Sequence, residues 1–243
     1  MNRIDLRDCT IYLRDGLAGT GAIDQATAPV EGATSMTIGT VSLNTAETGQ
    51  VPVGARFTVA GETAETLHTV QTRTPSNGAT TSITFSPALG AGTYVDDGAL
   101  TFQSQQVEIN VGEGEAKWTE SDEYKYDKNR GKLDTVRKGD DVPMELTIDC
   151  VFDQIKSGTS ELITPIEAVK GKDAAAQWVS SSSSACEPYA VNVVIEDTRS
   201  CSSGTATYLF QDFRCEKRDY SIKNATIAMS GKCNATEPVI TRQ

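Results

Sequence analysis

The sequence predicts a mainly β protein: a sheet-rich domain over residues 1–29 and 104–243, with a second β module inserted at 30–103. The first sign is strict alternation between positions 142 and 153. Val142, Met144, Leu146, Ile148, Cys150 and Phe152 fall on one side, and Glu145, Thr147, Asp149 and Asp153 on the other, with only Val151 out of step. A period of two belongs to a strand with one buried and one wet face. The second sign is composition. Thr, Ser, Gly, Val and Ala abound, turn residues recur and only 38% of residues are hydrophobic, a balance that favours many short strands over long helices. The third is that one helix signal alone is well formed, at 164–171.

The chain opens with a short strand at 10–13, followed by a loop rich in glycine, with Gly16, Gly19 and Gly21. That loop lacks the Lys-Ser/Thr of a P-loop and no helical pattern follows it, so it reads as a connection and not as a phosphate cradle. Between Val30 and Gln103 charges thin out, and strands are expected at 35–43, 56–59, 66–72, 82–85 and 99–102. Pro52, Ser76-Asn77-Gly78, the segment 87–92 and Asp96-Asp97-Gly98 punctuate them, as expected for a small barrel or sandwich. At 106–111, Val107, Ile109 and Val111 alternate with Gln106, Glu108 and Asn110.

The segment 115–141 is dense in both signs of charge and holds Trp118, Tyr124, Tyr126, Arg130, Asp134 and Arg137. As a mixed-charge hairpin it would make poor core. It suits an arm at an interface, where alternating charges set register. In the helix, Thr164 is a natural N-cap, Pro165 fits the first position, Glu167 completes a capping box and Gly171 stops it. Strands at 189–196, 205–213 and 220–230 complete the domain.

A net charge of −11 argues against a protein that grips nucleic acid, because phosphate binding needs clustered Lys and Arg. It does not exclude one that nucleic acid passes. The first 14 residues mix charge with Ile4, Leu6, Ile11 and Leu13, so neither a signal peptide nor a membrane span of about 18 apolar residues is expected. The product is expected in the cytoplasm of the cell that makes it. The six cysteines, Cys9, Cys150, Cys186, Cys201, Cys215 and Cys233, form no Cys-x-x-Cys pair, which disfavours zinc and thioredoxin-like sites. They read either as buried small hydrophobes or as disulfide candidates once the protein leaves a reducing cell. Asn224-Ala-Thr and Asn234-Ala-Thr match the glycosylation sequon, without meaning in the absence of a secretory signal.

The single histidine, His68, sits in an alternating segment with no acid or cysteine beside it in sequence, a poor setting for a base or ligand. The pairs Asp96-Asp97 and Asp140-Asp141 lie in glycine-containing turns, where Asp serves local hydrogen bonding. No catalytic, cofactor or metal site is expected, and the chain does not read as an enzyme.

The phrasing of Leu13-Arg-Asp-Gly16, of residues 126–136 and 137–146, of Trp178-Val-Ser-Ser, of residues 186–191 and of 212–236 resembles the tail tube proteins of long-tailed bacteriophages. The likeness covers most of 104–243 and the N-terminal arm; the module at 30–103 departs from the minimal pattern. It implies two antiparallel sheets packed at an angle with one flanking helix, in subunits that form hexameric rings stacked into a virion tube. Its partners would be further copies of itself and the tape measure, tail terminator and baseplate or tip proteins, with a sheath only if the tail contracts. DNA would pass without specific binding. On this reading Glu108, Glu145, Asp149 and Asp153 face the lumen, where carboxylates repel DNA. The other class considered is a virion decoration or adhesin protein whose inserted module binds a glycan.

Overall fold

The computed structural model describes residues 9–25, 27–44, 50–74, 81–112, 114–130, 132–151, 163–184, 186–197, 206–221 and 223–242. It is mainly β, with antiparallel pairing, one closed barrel and a single short α-helix. The chain divides into two compact units. Met1–Leu13, Glu108–Gln154 and Ser184–Gln243 form one, and Arg14–Val107 with Ile155–Ser183 the other.

After β1 (Cys9–Arg14) come six strands: β2 (Gly19–Ile23), β3 (Ser35–Leu43), β4 (Arg56–Val59), β5 (His68–Thr74), β6 (Ser82–Ser86) and β7 (Ala99–Gln103). They close into a barrel in the order β2-β3-β6-β5-β4-β7, with β7 pairing back onto β2. Alternation builds its core. Met36 and Ile38, Phe57 and Val59, Ile83 and Phe85, and Leu100 and Phe102 point inward, while Thr37, Thr84 and Thr101 point out. The Phe57 ring stands edge-on to Phe85 at 5.4 Å and tilted to Phe102 at 5.6 Å. Because β2 lies in the stretch read as a connection, the barrel starts at Gly19 and not at Val30. Its buried positions are Gly21 and Ile23, so a single bulky side chain marks the strand and the hydrophobic signal is weak.

The predicted helix forms as α1 (Pro165–Lys170), with Thr164 and Glu167 bonded reciprocally and Gly171 in the left-handed region at φ 59°. It belongs to the same unit as the barrel, not to the sheet domain that the sequence suggested it flanks. Val179, a little further on, packs against the barrel core.

The other unit is built on β1, β8 (Gln106–Ile109), β9 (Ala116–Thr119), β12 (Glu145–Val151), β13 (Val191–Asp197), β14 (Ala206–Ser221), β15 (Thr226–Lys232) and β16 (Val239–Arg242), with β10 (Asp122–Asn129) and β11 (Lys132–Asp141) as a separate hairpin. The large sheet runs β8-β1-β13-β14-β15-β12-β9, and β16 also pairs with β14. β14 is the organiser at 16 residues: its first half pairs with β13 and β16, its second half with β15. Between the halves it bulges at Asp212, whose φ of 52° is left-handed and whose N–H is held by Asn192 Oδ1 at 3.0 Å. Where β15 meets the bend, a Cβ on Gly231 would lie 1.9 Å from the Arg214 carbonyl oxygen, so only glycine fits.

The two halves face one another. The Trp118 ring on β9 stands edge-on to Phe210 at 5.4 Å and tilted to Tyr208 at 6.2 Å, both in the first half of β14. Leu146, Ile148, Cys150 and Met229 lie buried on the inner face of one half, with Ile11, Leu13, Val193 and Phe210 buried in the other. The sequence expected one strand across 220–230; instead β14 runs on to Ser221 and β15 begins at Thr226, with Ala225 left-handed in the turn.

Candidate assembly surface

The hairpin β10–β11 is where the sheet unit leaves its chemistry unsatisfied. Every side chain from Asp122 to Asn129 and from Lys132 to Asp141 is exposed, apart from half-buried Asp127 and Gly139. Its register sets Tyr124 opposite Lys138, Tyr126 opposite Val136 and Lys128 opposite Leu133. Since opposed residues share a face, Tyr124, Tyr126, Val136 and Leu133 line one side, 49–59% exposed, together with Lys128 and Lys138. The other side is ionic: Arg137 and Thr135 bind the Asp127 carboxylate, and Lys125 reaches Asp140 at 3.3 Å. Hairpins with an apolar face in water are marginal alone. This one leaves its tyrosine face exposed, and among the described residues it pairs with no other strand.

The structure thus sets Tyr124 and Tyr126 in the apolar stripe and Arg137 in the ionic face. Asp134 lies along β11, and Arg130 is at the turn in a left-handed conformation. Trp118 stands apart from them, on β9 over the core, 38% exposed with its Nε1 donating to Glu120. Leu133 and Val136 were not singled out from the sequence; only the register reveals that they join the tyrosines.

The residues expected to line a lumen are placed differently from the sequence expectation in one respect. Glu145 and Asp149 do stand on the wet face of β12, and Glu108 is exposed on β8; Asp153 lies outside the described residues. Yet that face is not acid alone. Glu145 opposes Lys232, which in turn opposes Arg214; Thr147 opposes Lys117 and Ser230, and Ser230 opposes Lys217. Glu145 and Lys232 approach to 3.6 Å, and Lys217 and Asp219 to 2.6 Å. β12 read singly offers acids; its sheet neighbours supply the bases. Glu108 sits on β8 at the far end of the strand path from β12–β9, although the chain leaving it returns to β12, where Val151 N–H donates to the Asn110 carbonyl at 2.8 Å.

No disulfide joins any two of Cys9, Cys150, Cys186, Cys215 and Cys233; Cys201 lies outside the described residues. Cys150 and Cys233 are buried inner-face residues, and burial pushes their thiols up to about 11 and about 12, with Asp149 and Asp212 adding to it. A thiol so seldom ionised is a poor nucleophile for exchange.

Two buried polar clusters serve the barrel unit. His68 does have an acidic companion, Glu62, six positions upstream: its Nδ1 donates to the Pro87 carbonyl at 2.8 Å and its Nε2 meets Glu62 Oε2 at 3.1 Å, both side chains fully buried. Glu62 also accepts from the Gly90 and Thr66 amides. Burial pushes its carboxyl up, but these donors together with His68 outweigh it and hold it below the ordinary value. With both ring nitrogens engaged and the ring packed against Phe57 and Phe85, neither nitrogen of His68 is open to a metal or a substrate. The second cluster is Asp15, 1% exposed, which accepts from the amides of Leu17, Gln105 and Val179 and from the Gln105 side chain. It clips the strand leaving β1 to the chain leaving β7. Burial pushes it up to about 6 against those donors. Among the described residues no group of His, Cys, Asp and Glu is arranged to hold a metal ion, and no helix is long and apolar enough to cross a membrane.

Comparison with protein-family models, with curated proteins and with solved structures finds no match to this chain.

Proposed function

We propose that this protein is a structural virion subunit, the repeating unit of a bacteriophage tail tube, assembling with copies of itself into hexameric rings that stack around a passage for the genome. The observation that carries this reading is the exposed hairpin: Tyr124, Tyr126, Leu133 and Val136 stand in solvent on one side with Lys128 and Lys138 at its two ends, and the Asp127–Arg137 pair lies on the other. Open backbone edges support it. Among the described residues β9 pairs on one side only, and the second half of β14 pairs only with β15. Long strands with open edges are a hazard to a monomer, and a closed ring removes them.

The charge argument narrows with the register. A wall bearing Glu145–Lys232 and Lys217–Asp219 pairs would offer phosphate few free cations, while the net −11 of the chain would add repulsion at longer range. Terminator, tape measure and tip proteins would be the other partners, and the virion tail its location.

Negative-stain microscopy of the purified protein at rising concentration tests the proposal. Hollow tubes of regular ring spacing are expected. A protein that stays monomeric at every concentration, or stops at a closed dimer, overturns it.

A further inference from the structure

Charge is segregated along the hairpin. Its base carries Asp122, Glu123, Asp140 and Asp141, whereas its tip carries Lys128, Arg130 and Lys132 and no acid. The cations nearer the base are engaged: Lys125 with Asp140, Arg137 with Asp127, Lys138 with Asp141. No ion pair among the described residues engages the three at the tip. The same unit holds a groove of about 630 Å³ where the ends of β12 and β14 meet the start of β15, lined among others by Asp149, Val151, Asp219, Tyr220 and Ile227. Its lining includes two carboxylates and no Lys or Arg. Asp219 holds Lys217 at the surface, while no ion pair among the described residues engages Asp149.

We propose that this groove receives the basic hairpin tip of a second copy of the chain, a contact that rests on the self-assembly reading above and names its receptor. The chemistry matches at three points. Asp149 and Asp219 face the ammonium and guanidinium groups; the aliphatic stems of Lys128 and Lys132 cover half-buried Val151; and Arg130 can lie on Tyr220, which is 54% exposed. Tip and groove are different surfaces of one molecule, so the contact is head-to-tail. Such contacts propagate into rings or filaments and do not stop at a two-fold dimer.

Sedimentation velocity at low salt tests it with two neutral variants, one with Lys128→Gln, Arg130→Gln and Lys132→Gln, the other with Asp149→Asn and Asp219→Asn. Each alone is expected to associate at least about tenfold more weakly than the wild type. Mixed one to one, they should form a heterodimer that grows no further, because one intact tip meets one intact groove. Wild-type association should also weaken steeply between about 50 and 500 mM salt, a reading that needs no variant. A groove variant that assembles like the wild type, or an association indifferent to salt, overturns the docking and leaves the tube reading standing. A wild-type protein that never associates overturns both.

Discussion

The barrel and the sheet unit spend their hydrophobic residues in opposite ways. In the barrel, closure pairs both edges of every strand, the aromatic rings of Phe57, Phe85 and Phe102 meet in one core, and even the ionisable groups inside, Glu62 and His68, answer one another. In the sheet unit, strands end unpaired, and Tyr124, Tyr126, Leu133 and Val136 stand in solvent. The barrel closes on itself, whereas in the proposed assembly further copies would cover what the sheet unit leaves open. Assembly should therefore be destroyed by changes in the second and untouched by changes in the first.

The largest effect expected follows from removing the hairpin. Replacing 122–141 by a short Gly/Ser link should abolish self-association, while the far-ultraviolet circular dichroism stays β-type, because among the described residues the hairpin pairs with no other strand. Light scattering that still reports polymers would place the contacts elsewhere. Next comes Phe57→Ala in the barrel. Truncating a fully buried phenylalanine costs about 3–5 kcal/mol, and it should lower one of two calorimetric transitions and spare the other. A single transition that moves as a whole would mean the two units unfold together.

Slightly smaller is Glu62→Gln, which removes the carboxylate facing His68 and should cost about 3 kcal/mol of barrel stability. Its pH signature is directional. Glu62 is held below its ordinary 4.5, so the stability it contributes is present above that value and is lost as pH falls through its lower folded value. Asp15 has the opposite sign. Raised from 3.8 to about 6, it favours the folded protein below pH 3.8, and that contribution is lost as pH rises through 6, a change on the order of 3 kcal/mol. Thermal melts from pH 3 to 7 should show Asp15→Asn flattening the fall between 4 and 6 without touching the acid limb that Glu62 governs. The variant costs about 1–3 kcal/mol itself, since an amide NH2 would face an N–H donor.

How much was legible in the sequence follows from where the side chains carry their signal. The barrel strands from Ser35 to Gln103 alternate large apolar residues with Thr and Ser, and the helix caps are local, so both could be read directly. β2 was hidden because Ile23 is the one bulky residue on its buried face, beside Gly19 and Gly21, and the second half of β14 because Arg214 to Asp219 is charged on both faces of an open strand. The hairpin arm was legible as a mixed-charge segment, but its apolar stripe was not, since Tyr126 and Val136 become neighbours only through pairing across the turn. The same holds for His68 and Glu62, and for Glu145 and Lys232: periodicity tells which face a residue takes, but not who stands opposite.

The smallest expected effect tests that last point. Glu145 and Lys232 are 65% and 48% exposed at 3.6 Å, so Lys232→Gln should change stability by no more than about 1 kcal/mol. Its consequence for the wall is larger than for the fold, because it removes the cation opposite Glu145, with Arg214 one strand further on, and moves the face towards the acidic character that β12 has alone. If pairing is what keeps DNA from adhering, Lys232→Gln tubes should release it at least as freely as the wild type, whereas Glu145→Gln, which frees Lys232, should retard release at low salt and recover at high salt. Equal release from both variants at low salt would mean that this face does not border the passage.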